Sequence, residues 1–393
     1  MYPQLPVPST LILLHILSRS QALENTWSPE MDDLSLEEVA RQLSDLEVAL
    51  FVCLASHEHC LIETTGDAIH DVAKELALIC SNTFDLSYTI VDCDSTTSIE
   101  DIHHEILTAD ARKAQIRPPY PRGKTESSSN ISSYITGEQD RSKSPNPILQ
   151  SEEPNVVNMV VAKNFNITNE DVQVQVLQLM RVRKLATEVG ILQAPDDFLF
   201  VPLVIRESDE LQPPLKTHLR DQLFVSHFHE SNDGYVYLEE NEWLTDGQLS
   251  MTSVIHTPKH SQKTAKISQT VMERFREDSN SVTTNAEVVR YIQDIVVFLR
   301  LSRSVAGGVS ARANQQFGQF ARLLAPLHGI DYLTPSIVAL AARKVFRHRI
   351  VVASAEDDRS LQYGSNREAI AHILADVTPE SILDRVLELE PPI

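Results

Sequence analysis

Basic charge is scarce in this chain: 34 Lys and Arg stand against 55 Asp and Glu over 393 residues, a formal net charge of −21. Polyanions need clustered Lys and Arg at their phosphates, so nucleic acid is excluded as the main ligand, and an acidic partner surface is disfavoured for the same reason. Cysteine is scarce as well. Cys53, Cys60, Cys80 and Cys93 contain no CxxC pair, which excludes a disulfide framework and predicts reduced thiols in a cytoplasmic protein. Long apolar runs are missing. The run "STLILLHIL" near the N-terminus is too short to span a bilayer, and no Lys or Arg precedes it as a signal peptide requires, so no membrane partner is expected. What is present is a 42% hydrophobic chain, enough for one sizeable core and for two domains.

Composition marks the joints. Residues 1–34 read as an N-terminal extension. Residues 112–153 are rich in Ser, Pro and charge without apolar periodicity, the pattern of a disordered insertion in a folded domain. A second polar stretch, 245–284, reads as a partly ordered linker. Between 35 and 244 strands alternate with helices: "SLEEVARQL" opens with Ser35 and Glu38 at capping-box spacing, then come a strand ending at Glu63, the helix "IHDVAKELALIC", "LSYTIVDCD", "NVVNMVVAK", a helix from about Thr168 to Arg183, and "DFLFVPLVI". That alternation predicts a parallel sheet covered on both faces.

Residues 285–393 change character. Val288, Ile292, Ile295, Val296 and Leu299 form one helical stripe, and Ala313, Phe317, Phe320, Ala321 and Leu324 a second. Thr334-Pro335 and Thr378-Pro379 are N-cap and first-turn pairs for two more helices. The expected architecture is an α/β core followed by an all-helical lid.

The stretch "CLIETTGDAIHDVAKEL", residues 60–76, has the outline of a phosphate-binding loop: an apolar strand, one glycine and a helix. A loop of that kind uses glycines so that backbone N–H groups cradle phosphate, a lysine for the phosphate charge and a Ser or Thr hydroxyl for magnesium. Here only Gly66 fits, and there is no lysine.

The segment "GGVSARANQQFGQFARLLAPLHGIDYLTPSIVALAARKVFRHRI" resembles the lid of MoxR-type AAA+ ATPases and of the ATPase subunit of magnesium chelatase. The matching residues are Gly308, Ser310, Arg312, Ala313, Gly329, Asp331, Tyr332, Thr334, Pro335, Arg347, His348 and Arg349. The resemblance extends back into the core, where "ETTGDAIH" falls on the P-loop and "MVVAKNFNITNEDVQVQVLQLM" on the Walker B strand and the helix after it. It implies an AAA+ fold, ATP with magnesium as cofactor, and ring subunits or other protein partners.

Carried over residue by residue, the resemblance puts Glu63 and Ala68 at the P-loop glycines, Ile69 at the lysine and His70 at the Ser/Thr. Ala162 and Lys163 fall at the Walker B acids. Asn164 matches the asparagine that follows, Gln222 stands at an arginine beside a matching Asp221, and Arg312 falls at the sensor-2 position. Loss of the lysine alone is worth about 1.5 to 3 kcal/mol, roughly ten- to a hundredfold in binding. A missing general base removes on the order of 10² to 10⁴ in rate. The ATP and magnesium implied by the family are therefore in question, and the expected function is a non-hydrolysing assembly or regulatory subunit. An active chelatase-type ATPase and a nucleotide-independent adaptor are the alternatives. Lys163 is expected to snorkel to solvent, and Arg312 has a core carboxylate as its ordinary partner. "HEHC" (57–60) and "SHFHE" (226–230) carry metal-ligand residue types without a second ligand pair at zinc spacing, so no metal site is expected.

Overall fold

The computed structural model describes residues 34–107, 156–186, 191–206, 215–240, 267–356, 358–388 and 391. The N-terminal extension (but for Leu34) and the 112–153 insertion lie outside them. Two reciprocal serine caps open the described core: Ser35 with Glu38 starts α1 (Leu36–Gln42), and Ser44 with Glu47 starts α2 (Asp45–Ser56). The first of these pairs was legible from its spacing.

Among the described residues the strands are, in chain order, β1 (His59–Thr64), β2 (Tyr88–Asp92), β3 (Met159–Lys163), β4 (Lys184–Ala186), β5 (Ile191–Gln193), β6 (Leu199–Ile205), β7 (Leu223–His229), β8 (Val305–Gly307) and β9 (Val351–Val352). Five of them make the main sheet in the order β2-β3-β6-β1-β7, every pair parallel. β4 and β5 form a hairpin, and β8 pairs antiparallel with β9 across the two helices that lie between them in the chain. Helices α3 (Ile69–Thr83), α4 (Ile99–Glu105), α5 (Glu170–Val182), α6 (Thr217–Gln222) and α7 (Val236–Glu240) complete the core.

A parallel sheet needs cover on both faces, and alternation along each strand sorts its side chains between the two. Leu61, Val160, Ala162 and Val204 pack with Ile102, Val172, Val176 and Leu219 from α4, α5 and α6. Cys60, Ile62, Val161 and Leu203 face the other way, toward α2 and α3. That second cluster does not stop at the core helices. It runs without a break into the lid, built from α8 (Gln269–Ser281), α9 (Ala286–Leu301), α10 (Ala311–Leu327), α11 (Pro335–Phe346), α12 (Arg367–Leu374) and α13 (Pro379–Leu387).

Both predicted stripes are buried in this cluster, and Thr334 and Thr378 cap α11 and α13 through their side chains. The expected linker, 245–284, contains α8. Its Val271, Met272 and Phe275 make one apolar face, and the Phe275 ring stacks on Phe51 of α2 with centroids 4.6 Å apart. Phe320 of α10 meets Phe224 of β7 edge-on at 5.4 Å. The lid therefore covers the β7 side of the sheet by burying aromatic surface against it.

Candidate functional site

The turn after β1 has the outline expected of it and different contents. Gly66 is not in the left-handed region, and a Cβ added there would meet only Ile205 side-chain atoms at 3.9 Å. The backbone does not use the freedom that a glycine provides. The Thr65 hydroxyl and nearby backbone N–H groups hold the Asp67 carboxyl below the usual carboxylate range, while the Ala68 N–H donates to the Thr65 carbonyl at 3.2 Å. A carboxylate of the chain itself thus stands at the turn, where its charge would oppose a phosphate. Ile69 is buried at the start of α3, where it packs in the apolar cluster.

Lys163, at the end of β3, does not snorkel to solvent. Its side chain is 10% exposed, and its Nζ lies 2.7 Å from Asp92 Oδ2 and 3.2 Å from His70 Nδ1. Register explains the first contact: Asp92 and Lys163 are paired residues at the carboxyl ends of β2 and β3. The second follows from α3, whose first turn carries His70 across the end of the sheet. An ammonium only donates, so His70 Nδ1 accepts and its proton sits on Nε2. One ammonium, one imidazole and one carboxylate do not make the oxygen-donor set that magnesium requires. Asn164 follows in the left-handed conformation (φ 53°, ψ 31°), which asparagine tolerates, and its N–H donates to the Leu203 carbonyl at 2.8 Å.

Glu63 has become a lid anchor. It is 2% exposed and forms an ion pair with Arg347 of the lid; Arg347 Nε also reaches Glu380 Oε1 at 3.3 Å, and Arg206 Nη2 reaches the same oxygen at 2.7 Å. Burial pushes the Glu63 carboxyl up while Arg347 pulls it down, with burial the larger effect. The other two residues of the Arg-His-Arg segment also grip the sheet. His348 Nε2 bonds the Leu223 carbonyl at 3.0 Å, and the buried Arg349 guanidinium donates to the same carbonyl and to Gln316.

Structure separates Arg312 from the other sequence-predicted residues. Gly66, Ile69, His70 and Asn164 gather at the carboxyl ends of β1 and β3. Arg312 lies at the opposite edge, where its Nη2 contacts Glu58 Oε2 at 3.1 Å, just before β1 begins. The six residues of β1 rise about 3.3 Å each, so roughly 20 Å lies between. Ser310 is anchored at this same edge through Asp221, at 2.6 Å. Arg312 is thus a lid-to-core contact, the role given above as its ordinary alternative.

The histidine-bearing segments are structural. His59 is buried with Nδ1 accepting from the Phe200 N–H at 3.1 Å, and burial pushes its imidazole down to about 4. His227 and His229, two residues apart, share one face of β7 with ring centroids 6.2 Å apart. No group of three or more His, Cys, Asp or Glu suited to a metal occurs among the described residues. All four cysteines are free and buried. No helix among the described residues is long and apolar enough to cross a membrane. The sequence reading missed Asp92, Glu58 and the lid-facing role of Glu63. Asp92 had a signal, since "IVD" and "VAK" end adjacent parallel strands.

Comparison with known proteins agrees with this architecture. Residues 298–373 match the AAA lid domain family. No curated protein matches the sequence. A crystal structure of a candidate ATPase from Cytophaga hutchinsonii is similar with a TM-score of 0.51 at 16% identity, over 87% of this chain and 93% of that one. A full-length MCM homolog from Methanopyrus kandleri is similar with a TM-score of 0.41 at 12% identity, over 83% of this chain and 63% of its own. The parallel five-stranded sheet, the helical lid and the matched lid family define an AAA+ α/β core followed by an AAA lid domain. The chain is AAA+ ATPase-like in fold.

Proposed function

We propose that this protein is a non-hydrolysing AAA+-like subunit, related to the MoxR and magnesium chelatase ATPase lineage, that keeps the fold for assembly with or regulation of protein partners. One observation carries the reading. The Lys163 ammonium is bonded to His70 and Asp92 at the carboxyl ends of β2 and β3, at the positions where the family resemblance would put a magnesium ion and a water-activating carboxylate. An internal cation in that place supports the strand ends without metal. Asp67 adds a fixed negative charge at the turn, which opposes a triphosphate.

Calorimetric titration of the purified chain with ATP and magnesium, beside a phosphate-release assay, tests the proposal. The expected result is no turnover above the blank and no magnesium-dependent heat at millimolar nucleotide. Magnesium-dependent turnover that disappears in Lys163→Met would overturn it in favour of an active ATPase with a relocated lysine. Nucleotide binding without turnover would leave the non-hydrolysing assignment standing and remove only the nucleotide-independent adaptor.

A further inference from the structure

Two histidines are buried in the joint between the edge strand β7 and the lid. Lys344 of α11 places its Nζ 3.3 Å from His227 Nδ1. Because an ammonium only donates, Nδ1 has to be bare and the proton sits on Nε2, which is buried without a partner. His348 is arranged the other way round. Its Nε2 bonds the Leu223 carbonyl at 3.0 Å, so the bare nitrogen is Nδ1, also buried without a partner. The first contact requires a neutral ring; the second holds in either state, but a proton on His348 Nδ1 would be buried without an acceptor.

The surroundings offer little to receive a second proton on either ring. His227 faces Lys344 and Arg347 from the lid and His229 along its own strand; the nearby carboxylates, Asp45 of α2 and Glu63 of β1, act on Lys344 instead. His229 has Asp233 at 3.9 Å. His348 faces Arg347, Arg349 and Arg220, with Asp221 acting on Arg349. Burial, the largest cause, and then these cations push both imidazoles well below their ordinary range.

We propose that the β7–lid joint is an acid-sensitive latch, closed while His227 and His348 are neutral and opening locally, with uptake of two protons, as the pH falls below about 6.5. The sign follows from linkage: the open state binds more protons than the closed one, so opening is favoured by acid. The opening constant rises about tenfold per pH unit for each proton taken up, hence up to about a hundredfold per unit for the pair.

Hydrogen exchange of the full chain between pH 7.5 and 5, corrected for intrinsic rates, reads this directly. Amides of β7 and α11 are expected to show an opening constant whose logarithm climbs by about two per unit of acidification, falling to about one in His227→Asn and in His348→Asn. Strands β3 and β6 should rise less. A flat profile at β7, a slope unchanged in both variants, or an equal rise at β3 and β6 would overturn the latch. If the asparagine variants lose their folded spectrum, Lys344→Met keeps both histidines and removes the cation facing His227 while its burial remains, so the slope should fall below two without reaching one, first at the acid end of the range. An unchanged slope there would also overturn the proposal.

Discussion

Gly308 in the lid and Gly66 after β1 are both glycines that the family pattern asks for, yet their surroundings differ. Gly308 has φ +95°, and a Cβ there would stand 1.8 Å from the Arg349 carbonyl oxygen. Gly66 has ordinary backbone geometry and space for a Cβ. The same contrast runs through the two regions. Residues that fasten the lid to the sheet, Gly308, Ser310, Arg347, His348 and Arg349, keep both their type and a structural demand for it. Around the turn after β1, Glu63, Ile69 and His70 are engaged by the fold itself, in an ion pair, the apolar cluster and the Lys163 contact. The structural demand falls on the joint, while the turn after β1 is held by internal partners.

The largest effect should come from closing the gap at Gly308. Gly308→Ala forces backbone apart at a left-handed position, and a loss of about 3 kcal/mol or more is expected in denaturant unfolding; a loss under about 1 kcal/mol would show that the joint yields easily. Arg347→Met comes next, because it strands the Glu63 carboxylate with its main partner gone, and about 3 kcal/mol should be lost. Raising the acidity should restore part of that stability as Glu63 is protonated, which a melting series at pH 7 and pH 5 would detect.

His59 sharpens the comparison from the amino end of β1. Its imidazole is held near 4 when folded against about 6.5 unfolded, so its contribution is complete above pH 6.5 and is lost as the pH falls toward 4. That amounts to about 3 kcal/mol over the interval. Unfolding of His59→Gln should show a shallower acid dependence than the parent. Smaller again is Arg312→Ala, which breaks a partly exposed pair with Glu58: a change of about 1 kcal/mol or less is expected, with nucleotide titration unaffected. A nucleotide effect of that variant would place Arg312 in a phosphate site after all. Gly66→Ala should be the mildest, within about 0.5 kcal/mol.

Much of the fold was legible because its signals are local. The Ser35 cap, the Thr-Pro starts and the two lid stripes are read within single helices, and each took up its expected place. That Ile69 and His70 open a helix and that Ala162 and Lys163 end a strand was legible too, since it needs only a local pattern. The long-range partners were not legible. The Lys163–Asp92 contact joins residues 71 apart in sequence, Glu63–Arg347 joins residues 284 apart, and Arg312–Glu58 joins residues 254 apart. Pairings of that range depend on strand order, which no local pattern encodes. The helix α8 was hidden for another reason: its apolar face is short and lies in a polar stretch, and Phe275 shows its purpose only beside Phe51.

The apolar cluster that runs from α2 and α3 into the lid has a consequence for how the chain can be divided. Residues 34–240 and 267–388 meet across the Phe51–Phe275 stack, the Phe224–Phe320 contact and the Arg347–Glu63 pair. Cutting the polypeptide between residues 241 and 266 would leave two fragments with complementary faces, held as one particle by the same surface that joins them now. Made apart, each would carry an uncovered aromatic face into water, and the pair should regain a fold that neither piece keeps alone.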